Sequence, residues 1–217
     1  MNRLFRRTLF AAAAALALAA PALAGPPLLC HPYEIGSAKS LPWSGEKSWF
    51  EGRPDYKVAN LVADTEALLT PSTPVIVRME TLRRAAIYAS TDPVVANALL
   101  KRFISRAEAS EKSGQPDALV YLDAAYLAGA FNEITMLAQS KEWETRAAVA
   151  RSVKGTLDAY ALIEKSVAAR PADPAIQFAA ALIASDDHRG EYRTHAAKAR
   201  AGADSDMLLA RNLSHVQ

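Results

Sequence analysis

The stretch from Asp117 to Gln139, DALVYLDAAYLAGAFNEITMLAQ, is apolar on almost every side. Wound as a helix, it puts Leu119, Leu122, Tyr126 and Ala130 on one face and Val120, Ala124, Leu127 and Phe131 on the neighbouring one. A surface helix carries one apolar stripe, so a sector this wide marks a helix enclosed by others. The pattern therefore predicts a buried central helix, opened by Pro116. Gly129 permits close approach along it, and Asp123 is its one polar residue in need of an explanation.

The flanking segments read as the helices that enclose it. Residues 55–69 end at Thr70-Pro71. Thr73 then supplies an N-cap and Pro74 a first turn for a helix whose Val75, Met79, Leu82, Ala86 and Ala89 form one buried face. Asp92-Pro93 repeats the start signal for a helix carrying Val95, Leu99 and Phe103, which Gly114 closes. After Trp143 the stripe Val149, Val153, Leu157, Tyr160, Ile163 and Val167 predicts one helix over 145–169, with Gly155 as a candidate bend. Asp173-Pro174 opens another, and helices follow over 191–201 and 206–214. No run alternates as a half-exposed strand does. The expected class is all-α, and the short loops favour antiparallel neighbours stacked in sequence.

The N-terminus follows a different logic. Arg3, Arg6 and Arg7, the apolar run from Leu9 to Ala20, and Ala22-Leu23-Ala24 have the three-part pattern of a secretory signal peptide. Residues 1–24 are thus read as a leader cut after Ala24, which sends the mature chain to the periplasm or outside the cell. The apolar run is shorter than the roughly 20 residues a membrane span needs, and Leu29 ahead of Cys30 argues against lipidation. The whole chain has 25 Lys plus Arg and 23 Asp plus Glu; without the three leader arginines the balance is 22 to 23, a formal charge of −1. With no basic block either, neither nucleic acid nor an anionic membrane is an expected partner. Cys30 is the one cysteine. A quiet free thiol is the default for it, ahead of an intermolecular disulfide or a ligand role, and no cofactor is expected.

Residues 25–53 place Pro26, Pro27, Pro32 and Pro42 among Gly36, Gly45 and Gly52, which rules out a regular helix. Leu28, Leu29, Tyr33, Ile35, Leu41, Trp43, Trp49 and Phe50 make this arm too apolar to be a solvated linker. Either it is a strap packed on the helical domain of residues 54–217, or it is a lid whose aromatics line a ligand or partner site.

Asp173 to Gly202 has small alanines at a helix crossing, Leu182 before the turn, Gly190-Glu191-Tyr192 at it, and more alanines on the second helix. In these features it resembles a tetratricopeptide repeat. Asp117 to Glu133 looks like a degenerate second copy through Leu119, Leu122, Tyr126, Gly129 and Phe131. The resemblance implies a stacked helix-turn-helix scaffold that binds peptides or proteins in a concave groove.

Chemistry-bearing clusters are sparse. His188, Glu191 and His195 have spacings that could share one helical face, but Gly190 puts His188 in the turn, so they are weak metal candidates and no metal is expected. Gly36-Ser37-Ala38-Lys39-Ser40 ends as a phosphate cradle does but lacks its glycines. Ser44-Gly45-Glu46-Lys47 matches the Ser-x-x-Lys element of penicillin-recognising enzymes without the companion motifs. Asp123, Tyr126 and Tyr121 on the central helix, with Trp43 and Lys39 in the arm, are the candidates for facing a ligand or partner. The competing reading bonds Asp123 to a neighbouring helix through Arg83, Arg84 or a tyrosine hydroxyl. The expected function is a non-enzymatic module that binds a protein or peptide. The alternative is an exported hydrolase with its site between arm and helices, where His31 or His188 would stand near a serine and an acid.

Overall fold

The computed structural model describes residues 26–44, 49–185 and 189–216, and every regular element among them is helical. In order these are α1 (Leu61–Leu68), α2 (Val75–Ala89), α3 (Pro93–Lys112), α4 (Ala118–Met136), α5 (Lys141–Lys154), α6 (Ala159–Ala169), α7 (Pro174–Ile183), α8 (Arg189–Gly202) and α9 (Met207–Asn212). Single 3-10 turns lie at Val58–Asn60, Ala203–Ser205 and Leu213–His215. The one β pairing among the described residues is an isolated bridge between Trp43 and Gly52. No described helix is long and apolar enough to cross a membrane. The leader assigned to residues 1–24 lies outside the described residues.

Side-chain caps set most of the helix starts. Asp92, Asp117, Asp158, Asp173 and Asp206 each accept backbone N–H groups at the head of a helix, and Ser140 does the same for α5. Two expectations are corrected. Thr73 does not cap α2: Pro74 holds the N-cap position, and the Thr73 hydroxyl instead donates to the Leu68 carbonyl at 2.7 Å. The single helix expected over 145–169 is two, because Gly155 takes φ +54°, a left-handed conformation that a right-handed helix cannot contain. Asp158 then restarts the chain as α6 by accepting the Ala161 N–H at 2.9 Å.

Helix α4 is enclosed as its composition requires, with 15 of its 19 residues buried. It packs against α2, α3, α5, α6 and α7. Helix α2 is buried further still, at 14 of 15 residues, although it carries Arg78, Glu80, Arg83 and Arg84. What covers its polar face is the arm, which runs over α2 and α4 as a strap and buries Leu28, Leu29, Tyr33 and Leu41 completely or nearly so.

Irregular backbone inside a fold must find hydrogen-bond partners, and here helix side chains provide them. Tyr126, Gly129 and Glu133, spaced along one face of α4, hold Leu28. The Tyr126 hydroxyl donates to its carbonyl at 2.6 Å, and both Glu133 carboxylate oxygens accept its N–H at 3.0 Å. A Cβ on Gly129 would come within 2.6 Å of the Leu28 side chain. The close approach that Gly129 permits is thus the strap's. On α2, Glu80 accepts the Tyr33 N–H, Arg83 donates to the carbonyls of Leu29 and Trp49, and Arg84 donates to that of Leu41. The Tyr88 hydroxyl bridges the Pro42 carbonyl and the Arg53 N–H. Arg83 and Arg84 also neutralise Glu80. Burial alone would raise the Glu80 carboxyl, but the two guanidiniums hold it below the ordinary carboxylate range.

Asp123 is fully buried, and its partner is Arg78, one helical turn or more from the Arg83 and Arg84 considered above. The guanidinium donates to both carboxylate oxygens, at 2.8 and 2.6 Å, and to the Thr70 carbonyl at 2.7 Å. Burial pushes the Asp123 carboxyl up against the pull of Arg78.

Removing one member of such a pair strands the other without water. Asp123→Ala is expected to cost about 3–5 kcal/mol in urea denaturation, whereas the double variant Arg78→Met/Asp123→Leu recovers most of the loss. A double variant as unstable as the single one would show that the bidentate pair contributes beyond mutual compensation. Arg83→Met leaves two strap carbonyls and part of Glu80 without donors. It is expected to lose several kcal/mol on the same grounds, with proteolytic cleavage appearing first in residues 28–50.

Candidate functional site

The residues expected to face a ligand are mostly spent on the fold. Asp123 is inside, against Arg78. Tyr126 is fully buried, its hydroxyl fixed on the Leu28 carbonyl and 3.2 Å from that of Tyr33, and burial raises the phenol well above its ordinary pKa. Tyr121 is buried at the start of α4 with the Lys165 ammonium 5.6 Å over its ring. These three therefore do not present themselves to a ligand. Trp43 is half-buried, packed edge-on against Tyr88, with the Arg83 and Arg84 guanidiniums above its ring at 5.1 and 5.7 Å. Lys39 is exposed on the strap beside Ser40, whose hydroxyl bonds that of Thr81.

The metal trio does not assemble around a common point that the structure shows. His188 lies outside the described residues, and Glu191 is exposed. The His195 ring is buried with both nitrogens engaged: Nδ1 lies 2.7 Å from Gln177 Oε1 and Nε2 3.3 Å from Glu164 Oε1. Burial lowers its pKa against the opposing pull of Glu164. No group of three or more metal-binding side chains occurs among the described residues. Of Ser44-Gly45-Glu46-Lys47, only Ser44 is described; its hydroxyl donates to the Glu51 and Gly52 carbonyls.

Leu28, Leu29 and Leu41 fill the seam where the strap crosses α2 and α4, while farther along Phe50, Gly52 and Arg53 leave a pocket of about 240 Å³ against Ile87, Tyr88 and Arg146. His31 stands at the end of the seam, edge-on to His215 at 6.1 Å between centroids. Cys30 is partly buried, and burial, with the negative charge of Glu133, pushes its thiol up to about 11. A thiol in that state is a poor nucleophile and a poor metal ligand at neutral pH.

The concavity that sequence reasoning missed lies on the other side of Leu28. There α4, α6 and α7 leave a cleft of about 400 Å³. Leu28, Gly129, Leu182 and Ile183 form its apolar walls, and Met136, 55% exposed, stands on its rim. Asn132, Glu133, Asp158 and Tyr160 bring polar atoms into it. Lys154 places its ammonium on Asn132 Oδ1 at 3.0 Å. Burial and the nearby carboxylates of Glu164 and Glu191 push the Tyr160 phenol up to about 12. Two carboxylates, those of Glu133 and Asp158, belong to the lining, two more act on the Tyr160 phenol, and one ammonium stands beside Asn132. The segment Thr156–Asp158, between Gly155 and α6, separates it from a shallower groove of about 240 Å³ walled by Ile104, Ala107, Tyr121 and Leu162. The sequence signal was the break at Gly155, which puts this connector across the α4 surface instead of continuing a helix past it.

What this arrangement can do is bind. It pairs apolar walls with negative charge. Compared with known proteins, the chain matches no protein-family model, no curated protein and no solved structure.

Proposed function

We propose that the protein is an exported, non-catalytic helical module that takes a segment of another protein into the cleft between α4, α6 and α7. The observation that carries this reading is the cleft itself: apolar walls at Leu28, Leu182 and Ile183, with Glu133 and Asp158 in the lining and Glu164 and Glu191 close to Tyr160. Its complement is an apolar side chain next to a lysine or arginine. The α7–α8 pair, in which Gly202 closes onto the Pro174 ring, is read as a tetratricopeptide-like hairpin; Asp117 to Glu133, the degenerate second copy, lies within the single helix α4. Export rests on the leader pattern of residues 1–24.

Leu28, Leu29 and Leu41 fill the seam where the strap crosses α2 and α4, which takes up the room that the hydrolase alternative needs there. His31 stands edge-on to His215 there.

The test is a peptide array probed with mature chain, residues 25–217, followed by calorimetry on the hits. Basic-apolar peptides are expected to bind, and more weakly as salt rises. Met136→Arg is expected to reduce the affinity at least about tenfold, the size of effect a like charge produces at a binding surface, while leaving the melting temperature unchanged because Met136 is exposed. Absence of any binding peptide, or binding indifferent to Met136→Arg, would overturn the reading. Export has its own check: a full-length chain expressed in a bacterium should be recovered from the periplasm with Gly25 as its first residue, and recovery with residues 1–24 attached would sink it.

A further inference from the structure

The C-terminal segment ends against the strap in an aromatic box. Asn212 exchanges two hydrogen bonds with the strap backbone at Glu34: its Oδ1 accepts the N–H at 2.9 Å, and its Nδ2 donates to the carbonyl at 3.0 Å. Val216 is buried, and its carbonyl accepts from Arg200 at 2.6 Å. Between these anchors the His215 ring stacks on Tyr33 at 5.0 Å and 20°, with His31 and Phe178 edge-on at 6.1 and 6.3 Å. The His215 Nδ1 is buried and has no hydrogen-bond partner among the described residues.

We infer that this box is an acid-sensitive latch: uptake of a proton by His215 releases residues 213–216 from the strap.

The groups facing His215 make the charged ring costly. From the strap come His31, whose own protonation would add a like charge, and Tyr33, which is neutral. From α7 comes Phe178, and from α4 the Tyr126 hydroxyl, which reaches Tyr33 and not the histidine. Among the described residues the carboxylate that favours a cation there is Glu80 on α2, and it is committed to Arg83, Arg84 and the Tyr33 N–H. The salt bridge of Glu34 with Arg211 is exposed and adds little. Burial first, and His31 second, lower the His215 pKa to about 4. A released, solvated His215 titrates near the ordinary histidine value of 6.5. Between those two values the released segment binds more protons than the latched one, so acid favours release. Above 6.5 the latch is at full strength, and below about 4 the loss is complete.

The experiment is amide hydrogen exchange of residues 212–216 in the mature chain at pH 7.5, 6.0 and 4.5, each corrected for intrinsic exchange. Protection is expected to fall roughly ten- to a hundredfold across that range, since each unit of pKa difference is worth a factor of ten. Core amides of α4 should stay protected. His215→Phe keeps the stacking and removes that ring's titration, so its protection should fall far less with pH than that of the native protein. Protection that is constant in the native protein, or that falls equally in His215→Phe, would overturn the latch. Should that variant fail to fold, proton NMR of the His215 ring in the native chain decides: titration below about pH 5 supports the latch and titration at or above 6.5 refutes it.

Discussion

An irregular segment laid through the interior must have its peptide groups paired, and the polar side chains of two buried helices meet that requirement here. Each unpaired N–H or carbonyl would cost about 1–3 kcal/mol, so a strap that crosses α2 and α4 can stay only where donors and acceptors are waiting. Glu133 and Tyr126 serve Leu28, Arg83 serves Leu29 and Trp49, Glu80 serves Tyr33, and Arg84 serves Leu41. The charges inside α2 have the same origin. They are not surface residues trapped by accident of packing; they are the counterparts of a backbone that brings no secondary structure of its own. Glu80 shows the economy of the arrangement, since its two oxygens neutralise two arginines and still accept a strap amide.

The same pairing places the cleft. Leu28 is seated by its N–H, its carbonyl and its side chain at three successive positions of one α4 face, so its side chain becomes a fixed wall of the cavity beyond. The opposite wall depends on Gly155, which turns the chain off the axis of α5 and lets Asp158 begin α6 at a new angle. A cleft assembled from a strap residue, a glycine break and a helix cap has walls held by hydrogen bonds to the backbone.

The helical class and the enclosure of α4 were legible because apolar sector width is a local property of sequence. Helix starts at Asp92 and Asp173 were legible for the same reason, since an aspartate before a proline carries its own capping geometry. The burial of α2 was not. VIVRMETLRRAAIYA reads as an amphipathic surface helix, and only the strap's backbone, distant in sequence, explains why its arginines are inside. Asp123 was recognisable as a buried acid requiring a partner, but Arg78 could not be told from Arg83 or Arg84 without the helix orientations. The cleft was invisible for a further reason. Its lining is drawn from four separate stretches of chain, one in the arm and three around the helices, and the stripe from Val149 to Val167 ran straight across the break that creates it.

Latch and cleft are linked by one short path: His215 stacks on Tyr33, the Tyr33 hydroxyl meets that of Tyr126, and Tyr126 holds the Leu28 carbonyl. The strength of coupling along that path is bounded by its weakest contact, a single neutral hydrogen bond worth about 0.5–1.5 kcal/mol. Leu28 keeps its N–H on Glu133 and its side chain over Gly129 whether or not Tyr33 moves. Opening the latch can therefore change affinity at the cleft by no more than about tenfold. Acid would loosen the C-terminal segment while leaving the Leu28 wall of the cleft in place, because the strap is anchored by many independent bonds and the tail by few.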